Sequence, residues 1–144
     1  MDISNLFALS SAEIKIKHPI TGDVLMDEGK GKNKLPMTIT VMGTHTREYK
    51  KLAREAGFAA IKRNKKHDIE KMSVEEFEAI TKENEEAALD LHAKAVLGCN
   101  IVMDGEKLSG SAADIKFMFT DERTSWIYEQ FKAALEDEKL FFKG

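Results

Sequence analysis

Histidine and cysteine are the residues in this sequence best suited to bind a metal or act as a nucleophile. The histidines are His18, His45, His67 and His92, and the single cysteine is Cys99. Metal sites and nucleophile–base pairs need side chains that converge, and pairs at short helical or loop spacing are their usual sign. No two histidines lie four residues apart, and the cysteine lies seven residues from the nearest one. We therefore predict no metal site, and a buried structural role for the cysteine.

Two further segments have side chains that suit catalysis or phosphate binding. Acidic residues are dense over positions 68–90. So many carboxylates on one predicted helix indicate a solvated face more than an acid–base pair. The Gly29-Lys30-Gly31-Lys32 loop lacks the GxxxxGK[ST] order of a phosphate-binding loop. The sequence thus predicts no catalytic residue, no enzymatic activity and no cofactor.

Composition narrows the class of protein. The chain has 144 residues, 42% of them hydrophobic and 33% charged, with a net charge of −3. This length predicts one domain, residues 1–144, with a core that needs no disulfide or metal. The near-neutral charge gives no general attraction to nucleic acid or acidic membranes. The single cysteine fits a reducing compartment, and no apolar run approaches the ~20 residues of a membrane helix. We expect a cytoplasmic protein with no signal peptide.

The strands are predicted in the first third of the chain, residues 12–43. Residues 13–17 alternate polar and apolar side chains, as a half-buried strand does. The turn residues of 18–23 then allow residues 24–26 to return as the second strand of a hairpin. Residues 37–42 alternate again and are rich in β-branched side chains, which predicts a third strand ending at Gly43.

Helices are predicted over residues 44–142. One begins at Thr44 or Thr46 and fades near residue 64. The longest begins at the capping box Ser73-Val74-Glu75-Glu76 and ends at Gly98, a plausible C′ residue.

Shorter elements follow the longest helix. Residues 101–108 form a possible short hairpin that turns at Asp104-Gly105. A short helix then opens at Ser111, and Asp121 can cap the last helix. The expected fold is α+β, mainly helical, with a small N-terminal antiparallel β-sheet.

Charge divides the middle of the chain into a basic helix, residues 47–66, and the acidic segment that follows it. A row of cations can contact nucleic-acid phosphates, which is one interpretation of the basic helix. The other interpretation, which we favour, is a solvated face that the acidic helix partly neutralises in an antiparallel pair. Few aromatic residues interrupt the basic row, so base stacking has little support and no nucleic-acid partner is expected.

The C-terminal segment is rich in aromatic residues that cannot all face inward from one short helix and a tail. Large aromatic side chains carry much of the binding energy at protein interfaces, although a domain of this size also needs them in its core. We therefore treat the following residues as candidates for contact with a partner: Trp126, Tyr128, Phe131, Leu140, Phe141 and Phe142.

The order of these segments resembles the tail assembly chaperones of long-tailed, siphovirus-type bacteriophages. The resemblance spans roughly residues 13–142. It rests on the HPITGDVL hairpin at 18–25, the strand ending at Gly43, the helix containing Tyr49, the IVMDGEKL segment at 101–108 and Trp126-Ile127. The lysine-rich loop at 29–34 and the Cys99-Asn100 pair depart from the family pattern.

The resemblance implies a non-enzymatic viral or prophage protein in the cytoplasm of the infected bacterial host. Such chaperones bind the tape-measure protein and help recruit tail-tube protein around it, and self-association is possible. Two alternatives remain open. One is a structural tail or neck component retained in the virion, and the other is a nucleic-acid-binding accessory protein that uses the basic helix 47–66.

Overall fold

The computed structural model describes residues 2–29, 33–65, 69–137 and 139–142. Four helices and five strands make up its regular structure, apart from short 3₁₀ turns. The strands are β1 (Ser11–Lys15), β2 (Thr38–Met42), β3 (Val96–Asn100), β4 (Val102–Met103) and β5 (Glu106–Lys107). The helices are α1 (Arg47–Lys65), α2 (Val74–Ala95), α3 (Ala112–Thr120) and α4 (Ser125–Glu136). The expected α+β fold with a small N-terminal antiparallel sheet is confirmed.

The main sheet has the order β1-β2-β3, with both pairs antiparallel. Alternation in β1 places Ala12, Ile14 and Ile16 in the core, while Glu13 and Lys15 face solvent. The predicted return of residues 24–26 is present only as isolated bridges, Lys17 with Val24 and Met26 with Pro36. The N-terminal strands therefore pair locally, but the third strand of the sheet comes from the middle of the chain.

The end of α2 differs from the prediction at Gly98. The helix ends at Ala95, and the chain passes directly into β3, where Val96 is extended and pairs with Val41. Gly98 therefore lies inside a strand and is not a helix C′ residue. A Cβ on Gly98 would meet open space, whereas a Cβ on Gly110 would lie 3.0 Å from the Gly98 Cα, so the close approach of the two segments constrains Gly110.

The predicted hairpin at 101–108 is confirmed as β4 and β5. Asp104 and Gly105 both have positive φ, 53° and 79°, as a tight turn between two strands requires. The bend at 18–22 is also closed locally, because His18 Nδ1 accepts hydrogen bonds from the N–H groups of Ile20 and Thr21.

Three of the four helices begin at the capping residue that the sequence predicts. The hydroxyls of Thr46, Ser73 and Ser111 each accept a backbone N–H three residues later. The prediction that Asp121 caps the last helix is wrong. Asp121 instead ends α3 and accepts from the backbone and guanidinium of Arg123, because two residues still separate it from Thr124, the N-cap of α4.

The loop after residue 26 is held by one carboxylate. Asp27 accepts hydrogen bonds from the N–H groups of Leu35 and Gly29 and from the side-chain amide of Asn100. The Leu35 bond is the main reason that the pKa of this carboxyl lies below its usual value. Residues 30–32, half of the predicted lysine-rich loop at 29–34, lie outside the described residues.

The core lies between the sheet and the C-terminal helices. Its largest fully buried side chains come from the sheet strands and from α3 and α4: Ile16, Ile39, Val41, Ile115, Met118, Phe119 and Phe131. Helix α2 adds Leu89, Ala93 and Ala95 from its last two turns only. Helix α1, all of whose residues the structure describes, adds no buried residue.

Candidate protein-binding surfaces

The aromatic residues of α4 are mostly committed to the interior. Phe131 is fully buried and lies 5.1 Å from the Phe119 ring centre. Tyr128 is half-buried and stacks on Phe119 at 4.6 Å. Trp126 is also half-buried, and its indole N–H donates to the Arg123 carbonyl at 3.0 Å. The prediction that Phe131 contacts a partner is therefore wrong, because its whole side chain fills the core.

The residues of the C-terminal tail differ sharply in exposure. Phe141 is only 6% exposed and meets the ring of His45 edge-on, whereas Phe142 is 49% exposed. Leu140 is half-buried against the core. Phe141 is thus a core residue and not a contact for a partner. The Leu9 N–H donates to the Phe141 carbonyl at 2.6 Å, which docks the tail on the N-terminal segment.

An exposed apolar patch surrounds these paired termini. Ala8 and Phe142 form an antiparallel bridge. The exposed side chains of this patch, called the terminal patch below, are Ile3, Leu6, Phe7, Leu9 and Phe142. Among the six residues that the sequence predicts as contacts for a partner, only Phe142 belongs to the terminal patch.

A second surface lies on a helical arm formed by α1 and α2, and the residues of α2 that face α1 across a groove come from the C-terminal half of α2. The Arg63 Nη2 donates to Asn84 Oδ1 at 3.3 Å, which joins the C-terminal end of α1 to the middle of α2. The arm exposes Phe58 (62%) and Ile61 (57%) on α1, and Val74 and Phe77 on α2. Sequence reasoning missed this surface. Phe58 and Ile61 are apolar residues spaced three apart on one helix, which is the signal that could have revealed them.

A shallow groove of about 250 Å³ runs between α1 and α2. Its walls carry the small or apolar residues Leu52, Ala56, Ala59, Ala87 and Leu91. Charged side chains of both signs also line it, Glu55 and Arg63 from α1, Asp90 and Lys94 from α2. An apolar channel with charged margins suits an amphipathic helix.

The two helices of the arm carry opposite charge. Helix α1 has seven basic and two acidic residues, and α2 has seven acidic and two basic. No ion pair joins α1 to α2 among the residues that the structure describes, so the compensation is through proximity and not through bonded pairs. Lys66, His67 and Asp68, at the turn between the helices, lie outside the described part of the chain.

The remaining polar clusters offer little for catalysis. His92 Nδ1 lies 2.7 Å from the Tyr128 hydroxyl, at the edge of a cavity of about 370 Å³. Burial, and then the nearby Lys132 ammonium, lowers the pKa of His92. Burial raises the pKa of Tyr128, so a neutral ring faces a protonated phenol.

The thiol of Cys99 lies within reach of the carbonyls of Leu108 and Ser109, at 3.6 and 3.8 Å. Burial and then the Asp114 carboxylate raise its pKa, which disfavours the thiolate that a nucleophile needs. Within the described ranges, no three His, Cys, Asp or Glu residues converge to hold a metal.

Comparison with known proteins found no match among family models, curated proteins or solved structures. No helix in the described part of the chain is both long and apolar enough to cross a membrane. The geometry of the exposed surfaces therefore carries the functional argument.

Proposed function

We propose that this chain is a non-enzymatic tail assembly chaperone of a long-tailed bacteriophage, acting in the cytoplasm of the infected host. Its partners would be the tape-measure protein and the tail-tube protein. The resemblance described above supplies these identities. The observation that carries the proposal is the helical arm, because its exposed apolar side chains suit contact with another protein.

The packing of α1 supports a binding role for the arm. Short helices are marginal in water, and most of their stability comes from packing of an apolar face. Helix α1 has 19 residues and none of them is buried, yet it holds Phe58 and Ile61 in solvent. Burial of such side chains stabilises a complex by roughly 1.5–3 kcal/mol each, which gives the arm a reason to bind.

The shape of the arm favours a helical partner. The groove between α1 and α2 is lined by alanine and leucine, so a third helix can approach both closely. A helix of a tape-measure protein, with charges of both signs beside its apolar face, would suit this groove and its margins. The opposite charges of α1 and α2 also argue against a role for the basic helix in nucleic-acid binding.

Co-expression with fragments of a neighbouring tape-measure gene product tests the proposal. The double variant Ala56→Lys/Ala59→Lys obstructs the groove between α1 and α2 and should lose the complex on size-exclusion chromatography with light scattering. The matched control Asn64→Ala changes an exposed residue of the same helix and should retain it. Retention of the complex in the double variant, with loss in Phe142→Ala, would move the interface to the terminal patch.

Two further results would contradict the proposal. Detection of the chain as a stoichiometric component of purified virions would favour a structural tail or neck protein. Tight binding to duplex DNA at about 150 mM salt, lost when Lys62, Arg63 and Lys65 are changed to Glu, would favour a nucleic-acid-binding protein.

A further inference from the structure

The outer edge of β1 is the side of this strand that faces away from β2. The Ile16 N–H donates to Met37, and the Gly43 N–H donates to Ser10. The backbone N–H and C=O groups of successive residues point to alternate sides of a strand. Those of the even-numbered residues of β1 therefore point towards β2. Odd-numbered residues must point theirs to the outer edge.

Both ends of this outer edge are bonded to the C-terminal part of the chain. At one end, the Leu9 N–H donates to the Phe141 carbonyl. At the other, the side-chain amide of Gln130 in α4 behaves as a piece of strand. Its Oε1 accepts from the Lys17 N–H at 2.9 Å, and its Nε2 donates to the Lys17 carbonyl at 2.8 Å.

A gap in the ladder lies between these two ends. Ser11, Glu13 and Lys15 have no backbone hydrogen bond on the outer side to any residue that the structure describes. Each presents one N–H and one C=O at the two-residue repeat of a β-strand. An extended backbone supplies donors and acceptors in that order along three residues, so a strand would complement this edge.

A groove beside the Lys15 end of the gap provides space for part of that strand. Its volume is about 480 Å³, and it separates β1 from α4. On the strand side it is lined by Ile14, Lys15 and Lys17, and on the helix side by Gln130, Ala133 and Ala134. The two alanines leave room for small apolar side chains above the groove floor.

We propose that the β1–α4 groove binds an extended segment of another protein, which adds to the sheet as an antiparallel fourth strand beside β1. Alternate side chains of the segment point into the groove over Ala133 and Ala134 and are small and apolar. The others lie on the solvent face, with an acidic residue opposite Lys15 and a basic residue opposite Glu13. The proposed register takes the antiparallel direction of the β1–β2 and β2–β3 pairs.

A bare strand fits this site better than a second copy of the chain. Gln130 and the C-terminal tail already overhang the ends of the β1 edge. A second copy that paired through its own β1 would bring its own α4 against the same groove. This surface is separate from the helical arm, and its test does not depend on the tail-assembly proposal.

Two end-blocked hexapeptides of identical composition test the proposed register. VEVKVT places Glu opposite Lys15 and Lys opposite Glu13, whereas VKVEVT reverses both charges. Titrated into the ¹⁵N-labelled full chain, VEVKVT should shift the amides of Ser11, Glu13 and Lys15 and slow their hydrogen exchange. Cross-strand charge pairing should make VEVKVT bind roughly threefold to tenfold more tightly than VKVEVT.

A proline at position 15 isolates the backbone contribution. Lys15→Pro removes an N–H that points outward and leaves the pairing with β2 in place. It should weaken both peptides at least about tenfold by removing a ladder hydrogen bond and obstructing close approach. The control Lys15→Thr keeps the N–H and should bind both peptides with a reduced preference between them.

A charge exchange keeps the test decisive if the proline variant does not fold. Glu13→Lys/Lys15→Glu should reverse the peptide preference without changing the strand. No shift at the three amides with millimolar peptide, or an unchanged preference in the exchanged variant, would overturn the proposal. Protection of those amides in a peptide-free dimer would also overturn it, in favour of a second copy.

Discussion

Adjacent residues of the C-terminal tail have opposite environments. Phe141 packs in the core beside His45, while Phe142 stays half in solvent at the bridge with Ala8. The two side chains are chemically identical, so a comparison between them separates the contribution of burial from that of residue type.

We expect Phe141→Ala to destabilise the fold and Phe142→Ala to leave it nearly unchanged. Loss of a buried phenylalanine costs about 3 kcal/mol, which corresponds to a fall in Tm of roughly 10 °C for a chain of this size. Thermal unfolding followed by circular dichroism measures both. Equal shifts for the two variants would show that the tail is not docked as described.

The burial of His92, together with the nearby Lys132 ammonium, predicts a pH dependence of stability. The pKa of His92 is lowered in the folded chain, so the unfolded chain binds a proton more readily. The contribution of His92 to the free energy of unfolding is fully present above about pH 6.5, the pKa of the group in the unfolded chain. This contribution is lost as the pH falls from there towards the lower pKa that His92 has in the folded chain.

Thermal unfolding at a series of pH values from about 7.5 to about 5.5 tests this linkage. Wild-type Tm should fall with acidification more steeply than that of His92→Gln, which cannot take up the proton. Glu85, Glu129 and Lys132 line the same cavity and are present in both proteins, so the difference between the two curves isolates the histidine. Parallel curves would contradict the assignment.

At the scale of elements, two helices with similar caps stand in different surroundings. The Ser73 hydroxyl accepts from the Glu76 N–H at 3.2 Å at the exposed start of α2, and Ser111 accepts from the Asp114 N–H at 3.3 Å at the start of α3. Helix α3 is packed in the core, whereas the first turns of α2 belong to the arm.

Replacement of each cap by alanine should therefore have different consequences. Ser111→Ala should lower global stability by about 1 kcal/mol, seen as a lower midpoint in urea. Ser73→Ala should mainly fray residues 74–77, seen as faster amide exchange there with little change in the midpoint. A midpoint shift for Ser73→Ala as large as that for Ser111→Ala would mean that the arm unfolds with the core.

At the scale of the whole molecule, the buried side chains lie together in one region of the fold. The sheet, α3, α4 and the last turns of α2 share a single cluster of buried side chains, while α1 contributes none. The charges of the arm are nearly balanced, so the small net charge conceals a separation of charge between α1 and α2.

Hydrogen exchange should divide the molecule along the same line. Amides of α1 should exchange by local opening, at rates well above those of β2 and α3, because few buried contacts hold this helix. Mass spectrometry of exchanged peptides measures the difference. Uniform protection across α1, β2 and α3 would show that the arm is as stable as the core and would weaken the case that it needs a partner.

Local signals in the sequence determined most of the elements. Alternation identified β1 and β2, capping serines located the starts of α2 and α3, and Asp104-Gly105 located the small hairpin. These features arise within a few residues of one another, so the sequence contains the physical cause of each.

Only the tertiary structure decided which side chains are buried and which segments pair. Gly98 reads as a helix stop, yet β3 pairs there with β2, more than fifty residues earlier in the chain. Phe141 and Phe142 have the same local pattern and opposite burial, and Gln130 of α4 reaches the Lys17 backbone at one end of the β1 edge. Such outcomes depend on contacts between distant segments, and no local periodicity of the residues involved encodes them.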